Sequence, residues 1–152
     1  MAEVETRGVE RLLAAARARI ERMEPAEAWT AATTGEVLIV DLRSGDERRR
    51  HGIVPGSLHV PRSVLEWRVD PESDWRNPSL DGEERLILLC AEGFSSSLAA
   101  ASLVELGHSR AGDVVGGFHA WLATGLPVMA AGEDDGSRPG MGEPAPWSDT
   151  ID

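Results

Sequence analysis

The sequence predicts an α/β fold built on a mostly parallel sheet. Two apolar runs, residues 36–41 and 85–90, are continuous rather than alternating, the pattern of strands covered on both faces. A shorter apolar run at 113–115 is broken by two glycines. Stretches with helical spacing lie between these runs, and strands alternating with helices predict helices packed on a parallel sheet.

Each element follows in order. Val9, Leu12, Leu13, Ala16, Ile20 and Met23 make one apolar stripe at helical spacing, so residues 8–23 are predicted helical. Pro25 ends that helix and suits the first turn of a second one, over 25–32. Gly35 precedes the first buried strand. Arg48, Arg49 and Arg50 lie in a charged helical stretch and are expected to form a solvated face beside Asp46 and Glu47. Pro55 and Gly56 mark a turn before a short strand at 57–60, and 64–68 is read as a helical turn. Residues 70–84 are loop-like. Ala99, Leu103 and Leu106 place a helix over 96–106, with Gly107 as its stop. A last helix, 118–124, ends before Gly125 and Pro127.

A length of 152 residues fits one domain with modest extensions. The expected division is an N-terminal helical extension at 1–24, the domain at 25–130, and an acidic tail rich in Gly and Pro at 131–152. The formal net charge is -11, and all 15 basic residues are arginine. Such acidity argues against nucleic-acid or anionic-membrane partners. The missing lysine removes Schiff-base chemistry and the lysine of a nucleotide-binding loop. A single cysteine, Cys90, excludes an internal disulfide and a two-cysteine zinc site. The lone thiol suits a reducing compartment, so a cytoplasmic location is expected. The first ten residues carry four charges and no apolar run, unlike a signal peptide, and no apolar stretch is long enough to span a bilayer.

The most informative segment is 89–97. A buried strand ends at Cys90, a short loop containing Gly93 follows, and a serine-rich helix begins. In parallel sheets ligands sit beyond the carboxyl ends of strands. Loop amides and the helix N-terminus would favour thiolate at Cys90 and would hold an anion or a terminal sulfur. Gly93 permits the tight curvature, and Ser95 or Ser96 is expected to cap the helix. Taken alone, a cysteine ending an apolar strand is more often a small buried hydrophobe; the strand–loop–helix context reverses that preference.

Four ordered motifs now stand together. Val40, Asp41, Leu42 and Arg43 carry an Asp-x-Arg pattern. Residues 52–57 with His59, Val60 and Pro61 form a Gly-x-x-Pro-Gly turn and the strand after it. Cys90 to Ser96 form the loop, and Gly116, Gly117, Trp121, Gly125 and Pro127 close the pattern. Over residues 25–128 the chain resembles a single rhodanese-like sulfurtransferase domain. The resemblance implies a five-stranded parallel sheet flanked by helices on both faces. It also implies that Cys90 is the catalytic residue and carries sulfur as a persulfide. Ala91, Glu92, Gly93, Phe94, Ser95 and Ser96 would then bind substrate. Asp41 and Arg43 are candidates for a supporting role: either Arg43 is a substitute cation for the loop, or it is held by Glu47 or another acid while Asp41 accepts turn amides.

Two departures bear on function. Loops of this family commonly place arginine where this chain has Ser95, so a fixed cation for an anionic donor is missing. Glu92 puts a carboxylate near the nucleophile, which opposes thiolate formation and the approach of an anion. Ile53 stands where the family turn has histidine. Sulfur transfer by double displacement through Cys90 is therefore expected, weak with thiosulfate. The partners would be a small sulfur donor (thiosulfate, a persulfide or a mercapto-acid) and a thiol or protein acceptor. No metal or organic cofactor is called for, and a monomer is the expected form. His51, His59, His108 and His119 show no metal-ligand spacing. Trp29 and Trp121 are expected in packing, and Trp67 and Trp75 near the site entrance. A non-catalytic binding or regulatory module is the alternative. A phosphatase is disfavoured because its loop needs arginine at position 96, which is Ser96.

Overall fold

A computed structural model describes residues 7–82 and 84–132. The expected acidic tail, Trp147 included, lies almost wholly outside the described residues. Five parallel strands make one sheet in the order β1-β5-β4-β2-β3. They are β1 (Glu21–Met23), β2 (Val37–Asp41), β3 (Leu58–His59), β4 (Arg85–Leu89) and β5 (Gly112–Val114). Among the described residues, six α-helices flank the sheet: α1 (Gly8–Arg17), α2 (Pro25–Thr33), α3 (Gly45–His51), α4 (Leu65–Val69), α5 (Ser95–Glu105) and α6 (Gly117–Thr124).

The continuous apolar runs split between two faces because strand side chains alternate. Leu38, Val40, Leu86 and Leu88 point to one side and join Leu65, Val69, Ala99 and Leu103 of α4 and α5. Val37, Ile39, Ile87 and Leu89 point to the other and join Ala28 and Ala31 of α2 with Phe118 and Trp121 of α6. Trp29 and Trp121 meet edge to face at 5.8 Å, and the Trp121 indole donates to the Pro127 carbonyl at 2.9 Å. Both tryptophans are packing residues, as expected. Central strand β4 has no polar face, and its last residues are fully buried. It ends directly at Cys90.

The N-terminal segment differs from the sequence expectation. The helix stops at Arg17, and residues 21–23 become the edge strand β1, paired with β5. Ile20 and Met23, which share a helical stripe, instead pack on opposite faces of the sheet. Pairing overrides helical propensity here. Gly112 makes it possible: a Cβ at that position would collide with the Glu21 carbonyl. The short β1 is thus an edge that only a glycine neighbour admits.

Two smaller expectations also change. Arg48 is not on a solvated face: it is buried and reaches Asp41 Oδ2 at 3.3 Å, while Arg49 and Arg50 are exposed. Neither Ser95 nor Ser96 caps α5 with its side chain; Phe94 occupies the cap position, and the serine hydroxyls turn elsewhere.

Candidate active site

The loop from Cys90 to Ser95 wraps its own sulfur. The Gly93 amide lies 3.1 Å from Cys90 Sγ and the Ser96 amide 3.4 Å. The Ser96 hydroxyl lies 3.2 Å from the same sulfur. Gly93 adopts φ +85°, and a Cβ there would sit 2.8 Å from the Gly116 nitrogen. Glycine is therefore required twice, by backbone conformation and by the close approach of the turn before α6. That turn also anchors the base of the loop: the Phe118 amide donates to the Cys90 carbonyl at 2.8 Å and the His119 amide to the Ala91 carbonyl at 3.0 Å.

Cys90 is 6% exposed. Burial alone pushes the Cys90 thiol up, because a charged sulfur loses its water. Hydrogen bonds from the Ser96 and Ser95 side chains and from the Ser96 and Gly93 amides outweigh that, and the thiol falls below its ordinary value. The hydrogen-bond donors around Sγ thus ease ionisation of the thiol against the cost of its burial.

The remaining loop residues separate by direction. Ala91 is half-buried, whereas Glu92, Phe94 and Ser95 are exposed. Ala91 and Glu92 line a cavity of about 250 Å³ with Arg43, Phe118, His119 and Leu122. Larger hollows lie at the opposite ends of the strands and between α1, α4 and α5, away from Cys90. Trp67 and Trp75 do not line the cavity beside the loop.

Asp41 and Arg43 form a pair with each other, not with Glu47. Arg43 donates to Asp41 Oδ1 at 3.1 Å and Oδ2 at 2.9 Å, and its own amide donates to Oδ1 at 3.0 Å. Arg43 also donates to the Gly52 carbonyl at 2.8 Å and stacks on the Phe118 ring at 3.7 Å. The pair clamps the end of β2 to the turn before β3 and to α6.

Four residues bearing on the site were not anticipated: Asp113, Ser97, Arg17 and Arg22. Asp113 is fully buried and accepts from Ser96 Oγ at 2.7 Å and Ser97 Oγ at 2.8 Å. Arg22 pairs with it at 2.9 Å. Both Arg17 and Arg22 donate to the Gly93 carbonyl, at 2.7 and 3.2 Å. The available signal was an acid inside an apolar strand, since a buried carboxylate demands partners. Among the described residues no cluster of His, Cys, Asp or Glu could hold a metal ion. No described helix is long and apolar enough to cross a membrane.

A buried strand running into a sulfur-wrapping loop, on a five-stranded parallel sheet, defines a class of α/β domains. The sequence profile of the rhodanese-like domain matches residues 24–124, and the chain belongs to that family. It is 29% identical over 107 residues to a thiosulfate sulfurtransferase GlpE of Actinobacillus succinogenes, covering 70% of this chain and 88% of that one. The fold matches a Rhodopseudomonas palustris structure described as a protein of unknown function and possible tyrosine phosphatase. That match has TM-score 0.76 and 34% identity, and covers 85% of this chain and 99% of that one. A polysulfide-sulfur transferase homodimer of Wolinella succinogenes matches with TM-score 0.61 and 25% identity, covering 79% of this chain and 85% of that one.

Proposed function

We propose that the protein is a sulfurtransferase that carries sulfane sulfur on Cys90. The observation that carries this reading is the convergence of the Gly93 and Ser96 amides on Cys90 Sγ. The Cys90 thiolate attacks the outer sulfur of a donor. A sulfur–sulfur bond forms, the donor's own bond to that sulfur breaks, and its electron pair leaves with the donor fragment. An acceptor thiolate then attacks the outer sulfur of the persulfide, and Cys90 departs as thiolate. The loop amides hold the negative sulfur at both stages.

The loop chemistry favours a neutral persulfide donor over the thiosulfate dianion. Residues 90–96 hold no cation, Ser95 is exposed, and Glu92 adds a carboxylate at the cavity wall. Arg43 does not serve as a loop cation: its Nε and Nη2 are committed to Asp41 and to the Gly52 carbonyl. The test is a cyanide-coupled assay on purified protein with thiosulfate and with a low-molecular-weight persulfide. Faster turnover of the persulfide supports the reading, and equal or faster turnover of thiosulfate contradicts it.

A non-catalytic docking module has one observation in its favour, the burial of Cys90. An inert buried thiol, however, would not be surrounded by donors that lower its pKa. Phosphoryl transfer is poorly supported. Ser96 occupies the arginine position of such a loop, and it is bonded to the Asp113 carboxylate.

A further inference from the structure

A carboxylate sits behind the nucleophile, and nothing in the sulfur-transfer scheme uses it. Asp113 lies beside Leu88 in the sheet, fully buried, two residues along the neighbouring strand from Cys90. Its Oδ2 accepts from Ser96 and Ser97, and its Oδ1 from Arg22 Nε at 2.9 Å. Ser96 is the hydroxyl that touches Cys90 Sγ. Arg22 and Arg17 also hold the Gly93 carbonyl, and the Gly93 amide touches the same sulfur. Arg17 Nε further donates to Ser97 at 3.1 Å. Both arginines come from the segment before the family match, which begins at residue 24.

We propose that Asp113 and Arg22 are positioning residues for Cys90, and that the N-terminal segment supplies from behind the loop the cationic support that position 95 lacks. The inference rests on the reading of Cys90 as the sulfur-carrying nucleophile. Ser96 has one hydroxyl proton and two claimants. With Cys90 as thiol, Ser96 accepts the S–H and donates to Asp113. When the thiol loses its proton to solvent, the Ser96 proton turns to the sulfur anion. Asp113 then keeps Ser97 and Arg22. The carboxylate is thus never left bare, and the hydroxyl is free to follow the charge on sulfur. Without Arg22 the same carboxylate would be an uncompensated negative charge close to the thiolate.

The other charged or titratable groups around the loop are Glu92 in the loop, Arg17 on α1, Asp41 with Arg43 and Arg48 at the end of β2, Glu47 and His51 on α3, and His119 on α6. None of them changes in the variants below, so the signs can be read directly.

The experiment measures the pH midpoint of Cys90 alkylation by iodoacetamide in the full chain, with thermal melts as a folding check. Arg22→Gln should raise the midpoint by about half to one pH unit, the size expected for losing a nearby opposite charge that is partly screened. Arg22→Lys should recover most of that rise. Asp113→Asn should move the midpoint the other way, because it leaves the cation and removes the anion. The double variant should return toward the wild-type value. A purely structural role would loosen the loop in every case and move all midpoints upward together. That result overturns the proposal, as does a folded Arg22→Gln protein with an unchanged midpoint. Alkylation needs no sulfur donor. Wild-type protein that fails to take up sulfur while the midpoints split would overturn the nucleophile reading alone, and sulfur uptake without the split would overturn the positioning pair alone.

Discussion

Asp41 and Arg43 lock onto each other at the end of β2, with Nη2 2.9 Å from Oδ2 and side chains 0% and 2% exposed, respectively. Two residues apart in sequence, they hold each other through Arg43 Nε and Nη2, while the buried Arg43 Nη1 makes no hydrogen bond. Arg48 adds a second guanidinium at 3.3 Å. The Asp-x-Arg pattern that marks the family is therefore a structural clamp here. Its contribution to the site is indirect: Arg43 Cζ sits 3.7 Å over the Phe118 ring centre, and the Phe118 amide holds the Cys90 carbonyl.

Asp41→Asn is expected to lower folding stability by about 3 to 5 kcal/mol, the cost of leaving buried charges without their partner. Urea denaturation checks it. A loss below about 1 kcal/mol would mean that the clamp is dispensable.

Gly93→Ala is expected to cut the rate of sulfur uptake by about a hundredfold to a thousandfold, the range for removing one preorganised donor. The added methyl would press on the Gly116 backbone and force the amide away from Sγ. Single-turnover loading followed by mass spectrometry measures this. Circular dichroism should show the sheet intact.

Much of this was legible in the sequence, for a definite reason. Strands β2 and β4 are buried on both faces, so their apolar runs could mean little else. Cys90 follows such a run, and Gly93 marks the turn beyond it, so the loop was visible too. β1 was not visible, because its pairing depends on the bare Cα of Gly112, ninety residues away, rather than on its own pattern. The Arg48 side chain was misplaced for a similar cause: three adjacent arginines look alike until Asp41 selects one. Asp113 carried a signal, an acid in an apolar strand, but its partners Arg17 and Arg22 come from a segment whose spacing suggested only a helix.

Restoring a cation to the loop should change donor preference. Ser95→Arg is expected to raise kcat/KM for thiosulfate by about tenfold, and Glu92→Gln by a smaller factor, with little effect on a neutral persulfide donor. Thiocyanate formation with each donor measures the ratio. An unchanged ratio in Ser95→Arg would remove the electrostatic account of specificity.

Cys90 should react as thiolate below the pH of a free cysteine. The folded protein holds the thiol below its ordinary value. The alkylation midpoint is thus expected under about 8.5, the value for an unperturbed thiol. The sign carries over to stability. A depressed folded pKa makes ionised Cys90 stabilising above the unfolded value, and that contribution fades as pH falls through the folded one. Wild type should therefore gain stability over Cys90→Ser as pH rises through that window. Paired urea titrations at pH 6 and pH 9, an interval set about the free-thiol value of roughly 8.5, measure the difference.

The proposed sulfur transfer stands or falls with Cys90 Sγ as the atom that takes up sulfur. Intact-mass spectrometry after brief exposure to a low-molecular-weight persulfide tests it most directly. Wild-type protein should gain the mass of one sulfur atom, cyanide should remove it, and Cys90→Ser should gain nothing. A wild-type protein that takes up no sulfur, or a Cys90→Ser protein that takes up as much, would contradict it.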